Sequence, residues 1–228
     1  MFDHMYVYGL MRKGFDIEPA ISLLDVPDNI EVLHVTKNTL ALDRLPTLAN
    51  LRHLCAHDIN DAKFNQLCEA SQVTHFSVNA YGITDVQKLG NLVNLQGLEL
   101  SDNTKISTLN GLEKLTALQV FALAASPVSI DLAPLSACTE LRNLWLSSSQ
   151  AKPMRINSLL PLSTVTKLER LKLANVRVAD CKLGALHNLT MLAELDLPNF
   201  FPIEEFIALR LALPHAKGHW LNKYLVGH

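Results

Sequence analysis

Histidine and cysteine crowd into one short stretch of this 228-residue chain, "LRHLCAHD" at 51–58, where His53, Cys55 and His57 alternate and Asp58 follows. Imidazole and thiolate are the side chains zinc binds best, with donors at about 2.0–2.3 Å from a common centre and usually in tetrahedral array. A set with an open fourth position would permit a metal-bound water. The same histidines would also change charge near pH 6. Against this, residues two apart on a strand point in parallel, roughly 6.6 Å apart, and do not converge. The stretch therefore reads either as a metal site or as the polar face of a β-strand, and the element that carries it decides.

That element is a repeat. The frame of "LQGLELSDN" at 95–103 has leucine at its first, fourth and sixth places and asparagine at its ninth. It recurs as "IEVLHVTKN" at 30, "LRHLCAHDI" at 51, "VTHFSVNAY" at 73, "LQVFALAAS" at 118, "LRNLWLSSS" at 141, "LERLKLANV" at 168 and "LAELDLPNF" at 192. Eight copies in register set the whole architecture. In a strand the fourth and sixth residues point to one side and the third, fifth and seventh to the other. Leu98 and Leu100 therefore go inside. The spaced Ile106, Leu109, Leu112 and Leu115 pack beneath them as the chain returns. One copy cannot bury its apolar face alone, so the copies must stack and the two ends need caps.

The unit "LQGLELSDNTKISTLNGLEKLTA" at 95–117 resembles the leucine-rich repeats, in particular the short repeats of internalin-type proteins, and the resemblance runs from about 30 to 213. It implies an α/β fold: a right-handed solenoid with a concave parallel β-sheet and convex helical or irregular returns. Asn38 and Asn103 keep the ninth-place asparagine, Ser126 and Ser149 are polar stand-ins, and Ile59, Tyr81, Val176 and Phe200 depart from it. An asparagine ladder along the array is therefore expected to be broken. Residues 1–29, with Phe2, Met5 and Val7 in a rough copy of the frame, read as an N-terminal cap or degenerate repeat. About eight repeats fill 30–215, and 216–228 form a C-terminal cap and tail, all within one domain. In the terminal region "PIEEFIALRLAL" at 202–213 has helical spacing with Pro202 at its start. A terminal strand should follow, with Trp220 shielding the last leucines.

The outward places then form columns across the strands. The fifth-place column reads His34, Cys55, Ser77, Glu99, Ala122, Trp145, Lys172, Asp196, and the third-place column Val32, His53, His75, Gly97, Val120, Asn143, Arg170, Glu194. His34, His53, Cys55, His57 and His75 thus meet on adjacent strands as the candidate metal cluster. Further along, Trp145 and Asn143 sit beside Arg170 and Lys172. Tryptophan and arginine are the types most enriched at binding hot spots. Trp145 is either a partner anchor or a residue covered by the extra segment at 149–158, where the repeat step lengthens to 27 residues. Glu99 and Asp196 would select partner charge, and the basic-then-acidic order would set a partner's register.

A net charge of −2 gives no global attraction to nucleic acid or anionic membranes. No apolar run is long enough for a transmembrane helix, and the start lacks the order of a secretory signal. Cys55, Cys68, Cys138 and Cys181 show no paired spacing and are expected as reduced thiols in a cytoplasmic protein. No phosphate loop, nucleophile elbow or HExxH occurs. The chain is expected to be a non-catalytic scaffold without a cofactor, a monomer or weak oligomer, holding a protein or peptide ligand on its concave face. The alternatives are a metal-dependent activity at the histidine cluster and a secreted bacterial effector serving as an adaptor.

Overall fold

The computed structural model describes residues 16–80, 82–102, 105–124, 129–148 and 152–223. Each of the eight copies forms a strand on its third to seventh places: β1 (Val32–Thr36), β2 (His53–His57), β3 (His75–Asn79), β4 (Gly97–Ser101), β5 (Val120–Ala124), β7 (Asn143–Ser147) and β9 (Arg170–Ala174), with β11 (Glu194–Asp196) shorter. They pair in chain order as one parallel eight-stranded sheet. Fourth-place residues such as Leu54, Phe76, Leu98, Phe121 and Leu171 are fully buried. So are the first-place leucines and the return residues Ile106, Leu109, Leu112 and Leu115, which share one continuous core with them.

One backbone device repeats along the whole array. The second-place carbonyl of each copy accepts two amides of the next: Glu31 from Arg52 and His53, Arg52 from Thr74 and His75, Thr74 from Gln96 and Gly97, and so on to Glu169 from Ala193 and Glu194. This fork satisfies the polar backbone at the entry of every strand.

Strand exits use a second device. Asp58, Asp102 and Asn175 all occupy the eighth place and have φ of 54°, 55° and 53°. Asp and Asn tolerate the left-handed region better than other side chains, so the turn out of the strand falls there. The ninth places Ile59 and Val176 are buried apolar residues, which is how those copies do without an asparagine. Tyr81, Asn103, Ser126 and Ser149 lie outside the described residues, as do Phe2, Met5 and Val7.

The returns are mostly 3-10 turns, at Leu42–Thr47, Gln87–Asn91, Leu112–Lys114, Ala133–Ala137, Leu160–Thr164 and Gly184–Leu186. The second copy instead forms an α-helix, α1 (Asp61–Leu67), which Asn60 caps by accepting from the Lys63 amide at 3.0 Å. Its Phe64 stacks on Phe76 of β3, with ring centroids 6.1 Å apart. Beyond β5, β7 and β9 the chain adds a feature absent from the sequence reading. The segments β6 (Ser129–Ile130), β8 (Met154–Ile156) and β10 (Val176–Val178) pair in parallel as a second, three-stranded sheet. Alternation explains it: Met154, Ile156, Val176 and Val178 are buried, while Arg155 and Arg177 between them are exposed. The extra segment at 149–158, read from the sequence as a possible cover for Trp145, thus contributes Met154–Ile156 as a strand of this second sheet.

At the C-terminal end α2 (Ile203–Ala212) buries Phe206 and Leu209. Where a terminal strand was expected there is one bridge, Lys217 to Glu194. A short helix, α3 (His219–Lys223), follows it. Trp220 packs partly buried against the core. At the other end the Ala20 amide donates to the His34 carbonyl at 2.9 Å, and Ser22 bridges Leu40.

Candidate interaction surface

The outward columns read from the sequence are the pairing registers of the sheet. His34, Cys55, Ser77, Glu99, Ala122, Trp145, Lys172 and Asp196 face one another strand by strand, as do Val32, His53, His75, Gly97, Val120, Asn143, Arg170 and Glu194. The face is not uniform. From His34 to Ala122 the fifth-place column is buried, with exposures of 5, 1, 1, 2 and 8%. From Trp145 to Asp196 it is half-open.

In the half-open part the side chains interlock across strands. The Lys172 ammonium lies 4.7 Å from the centroid of the Trp145 ring and 3.6 Å from a carboxylate oxygen of Asp196. The Lys172 side chain is only 13% exposed, because its stem runs along apolar surface while the charge reaches the carboxylate. Arg170 donates to Asn143 Oδ1 at 3.2 Å and pairs with Glu194 at 3.4 Å. Five predicted residues (Trp145, Asn143, Arg170, Lys172 and Asp196) therefore form one contiguous surface. Its charges are already matched, β9 cations against β11 carboxylates. Glu99 does not belong to it. It lies two strands from Trp145 in the closed column and is 2% exposed, so it presents no charge to solvent.

The histidine cluster resolves into two pairs. His53 and His75, directly opposite in register, stack with centroids 4.5 Å apart and planes 13° from parallel. His34 and His57 are diagonal neighbours, with His34 Nε2 2.7 Å from His57 Nδ1. The Ile17 carbonyl, 2.7 Å from His34 Nδ1, can only accept, so His34 carries its proton on Nδ1. In the neutral pair His57 Nδ1–H then donates to His34 Nε2. Burial holds the His57 pKa below its ordinary value; His34 and Lys37 push the same way and Asp58 opposes them. Cys55 lies buried between the pairs. The His34 and His57 nitrogens meet each other and a backbone carbonyl, while His75 Nδ1 lies 3.0 Å from the Thr74 hydroxyl. Among the described residues no group of three or more His, Cys, Asp or Glu is placed to hold a metal ion.

The four cysteines are free. Cys138, buried and donating to the Leu112 carbonyl at 3.3 Å, has its thiol pushed up to about 11 by burial and by Glu113, so it is an inert packing group. Among the described residues no helix is long and apolar enough to cross a membrane.

This fold is the leucine-rich-repeat solenoid. It is similar to an internalin C2 of Listeria monocytogenes (TM-score 0.51, 23% identity, 71% of this chain and 69% of that one). It is also similar to an internalin, InlF, of the same organism (TM-score 0.53, 21% identity, 84% of this chain and 63% of that one). A leucine-rich-repeat protein of Leptospira interrogans aligns as well (TM-score 0.57, 16% identity, 83% and 54%). The chain spans between about half and two thirds of the length of these proteins, and at such identities the likeness is one of fold. No protein-family model matches the chain, and no curated protein matches it.

Proposed function

We propose that the chain is a non-catalytic scaffold that binds a protein or peptide on the C-terminal half of its concave face, with Trp145 as the anchor. The observation that carries this reading is the change along one column: the same place in the repeat is buried from β1 to β5 and half-open from β7 to β11. A half-open tryptophan held by a cation from the next strand is a preorganised contact, which lowers the ordering cost of binding. Arg170 and Lys172 orient the partner through charges that a ligand carboxylate can share with Glu194 and Asp196. A repeat scaffold of this shape also suits an adaptor of a secreted system, but no feature of the residues favours that use.

The test is a peptide-display selection on the intact chain, with dissociation constants then compared for Trp145→Ala. Loss of about 2 kcal/mol, roughly thirtyfold, is expected for a hot-spot tryptophan. Binders whose affinity is untouched by Trp145→Ala and by Arg170→Ala would move the site elsewhere.

A further inference from the structure

The second sheet carries a pairing that the first sheet avoids. Arg155 of β8 and Arg177 of β10 stand directly opposite in register, where like charges repel. Across the concave sheet the β9 cations face β11 carboxylates: Arg170 faces Glu194 and Lys172 faces Asp196. Arg155 and Arg177 have no hydrogen-bond or ion-pair partner among the described residues, and both are exposed. They share a pocket of about 620 Å³, within the range of small-ligand sites. Ser129, in register with Arg155 on β6, and Asn157 add neutral polar groups, and among the described residues no acidic side chain lines the pocket. Asp180, next along the chain, is engaged in capping the Lys182 amide at 3.1 Å. The wall beyond Arg177 is Phe200, half-buried and stacked on Phe201 with centroids 4.4 Å apart.

We propose that this pocket binds a phosphate monoester carried on a flat apolar body, the phosphate between the Arg155 and Arg177 guanidinium groups and the ring against Phe200. Two planar forks match the oxygen geometry of a dianionic phosphate better than a carboxylate's single pair of oxygens uses them. The anion also removes the repulsion between the two strands, so its binding and the register of the second sheet support each other. The aromatic wall supplies apolar area that inorganic phosphate cannot use. The chemistry is shared by a free aryl phosphate and by a phosphorylated tyrosine side chain.

The test uses phenyl phosphate, inorganic phosphate and a phosphotyrosyl peptide, titrated into the intact chain by calorimetry at low and physiological salt. Phenyl phosphate should bind at least tenfold more tightly than inorganic phosphate and more weakly as salt rises. Arg155→Gln combined with Arg177→Gln should abolish binding while leaving the unfolding midpoint unchanged or higher, since a repulsion is removed. Phe200→Ala should erase the preference over inorganic phosphate, and Trp145→Ala should change nothing, which separates this pocket from the concave surface. Tighter binding of the peptide than of phenyl phosphate assigns the source to a phosphorylated protein; the reverse assigns it to a small molecule. No binding of phenyl phosphate by the folded wild-type chain, or binding that survives the double arginine variant, overturns the proposal.

Discussion

The two halves of the concave face are built from one repeating frame yet do opposite things with it. In the N-terminal half the fifth-place residues (His34, Cys55, Ser77, Glu99 and Ala122) are withdrawn from solvent, and His34 is bound to His57 and to the Ile17 carbonyl. In the C-terminal half the same place holds Trp145, Lys172 and Asp196, all half-open. A leucine frame fixes what faces the core. The outward places are free to diverge, and they have diverged into a closed end and a half-open end.

The sharpest way to break this contrast is to place a charge on each half. Ser77→Asp, in the closed column, is expected to cost about 3 kcal/mol or more, because its carboxylate would be buried directly opposite that of Glu99. Ser147→Arg, at the half-open end of β7, is expected to stay within about 0.5 kcal/mol. Urea midpoints read both, and equal tolerance would show that the N-terminal half is open in solution. Next in size is the roughly 2 kcal/mol loss of ligand affinity for Trp145→Ala, accompanied by a stability loss of at least the about 0.5–1 kcal/mol carried by its contact with Lys172. A matching loss from His53→Ala would erase the distinction between the halves. Lys172→Met removes the cation over the indole and should cost about 0.5–1 kcal/mol of stability, with a change in Trp145 fluorescence.

The smallest effect concerns pH and belongs to the closed half. The fold favours neutral His57, chiefly through burial and then through His34. The unfolded chain therefore binds the proton more readily, so stability is complete above the ordinary histidine value of about 6.5 and declines as pH falls through the lower folded value. A carbon-bound proton of His57 followed by NMR should titrate below 6.5. A midpoint above that value would mean that His57 is not buried in solution as it is here.

The architecture was legible because leucines at the first, fourth and sixth places leave only one way to stack eight copies, and the strand registers follow from the same alignment. Placing Trp145, Asn143, Arg170, Lys172 and Asp196 together needed nothing more than that register. Three things could not be read. Burial of Glu99 depends on what packs across the sheet, and the frame of its own copy is silent on that. The left-handed exits at Asp58, Asp102 and Asn175 leave only a faint mark, a short Asp or Asn side chain at the eighth place, which other surface positions carry as well. The second sheet was signalled by "MRI" and "VRV", whose alternation is too brief to distinguish a strand from an irregular return. Strand neighbours point in parallel, so the histidine rings pair across strands, His53 with His75 and His34 with His57.

The column through Trp145 also sets a ruler for whatever lies along it. Strands are about 4.8 Å apart, so Trp145 and Asp196, two strands apart in register, mark an interval of about 9.6 Å. A left-handed polyproline helix advances about 9.3 Å in each three-residue turn. Such a chain running across the strands would turn the same side to Trp145 and then to Asp196, with its intervening residues passing over Lys172. A fully extended peptide, rising about 3.3 Å per residue with sides alternating, would slip out of phase within the same span. The spacing of the sheet thus sets a pitch that an extended ligand laid across it would have to match before any side chain is recognised.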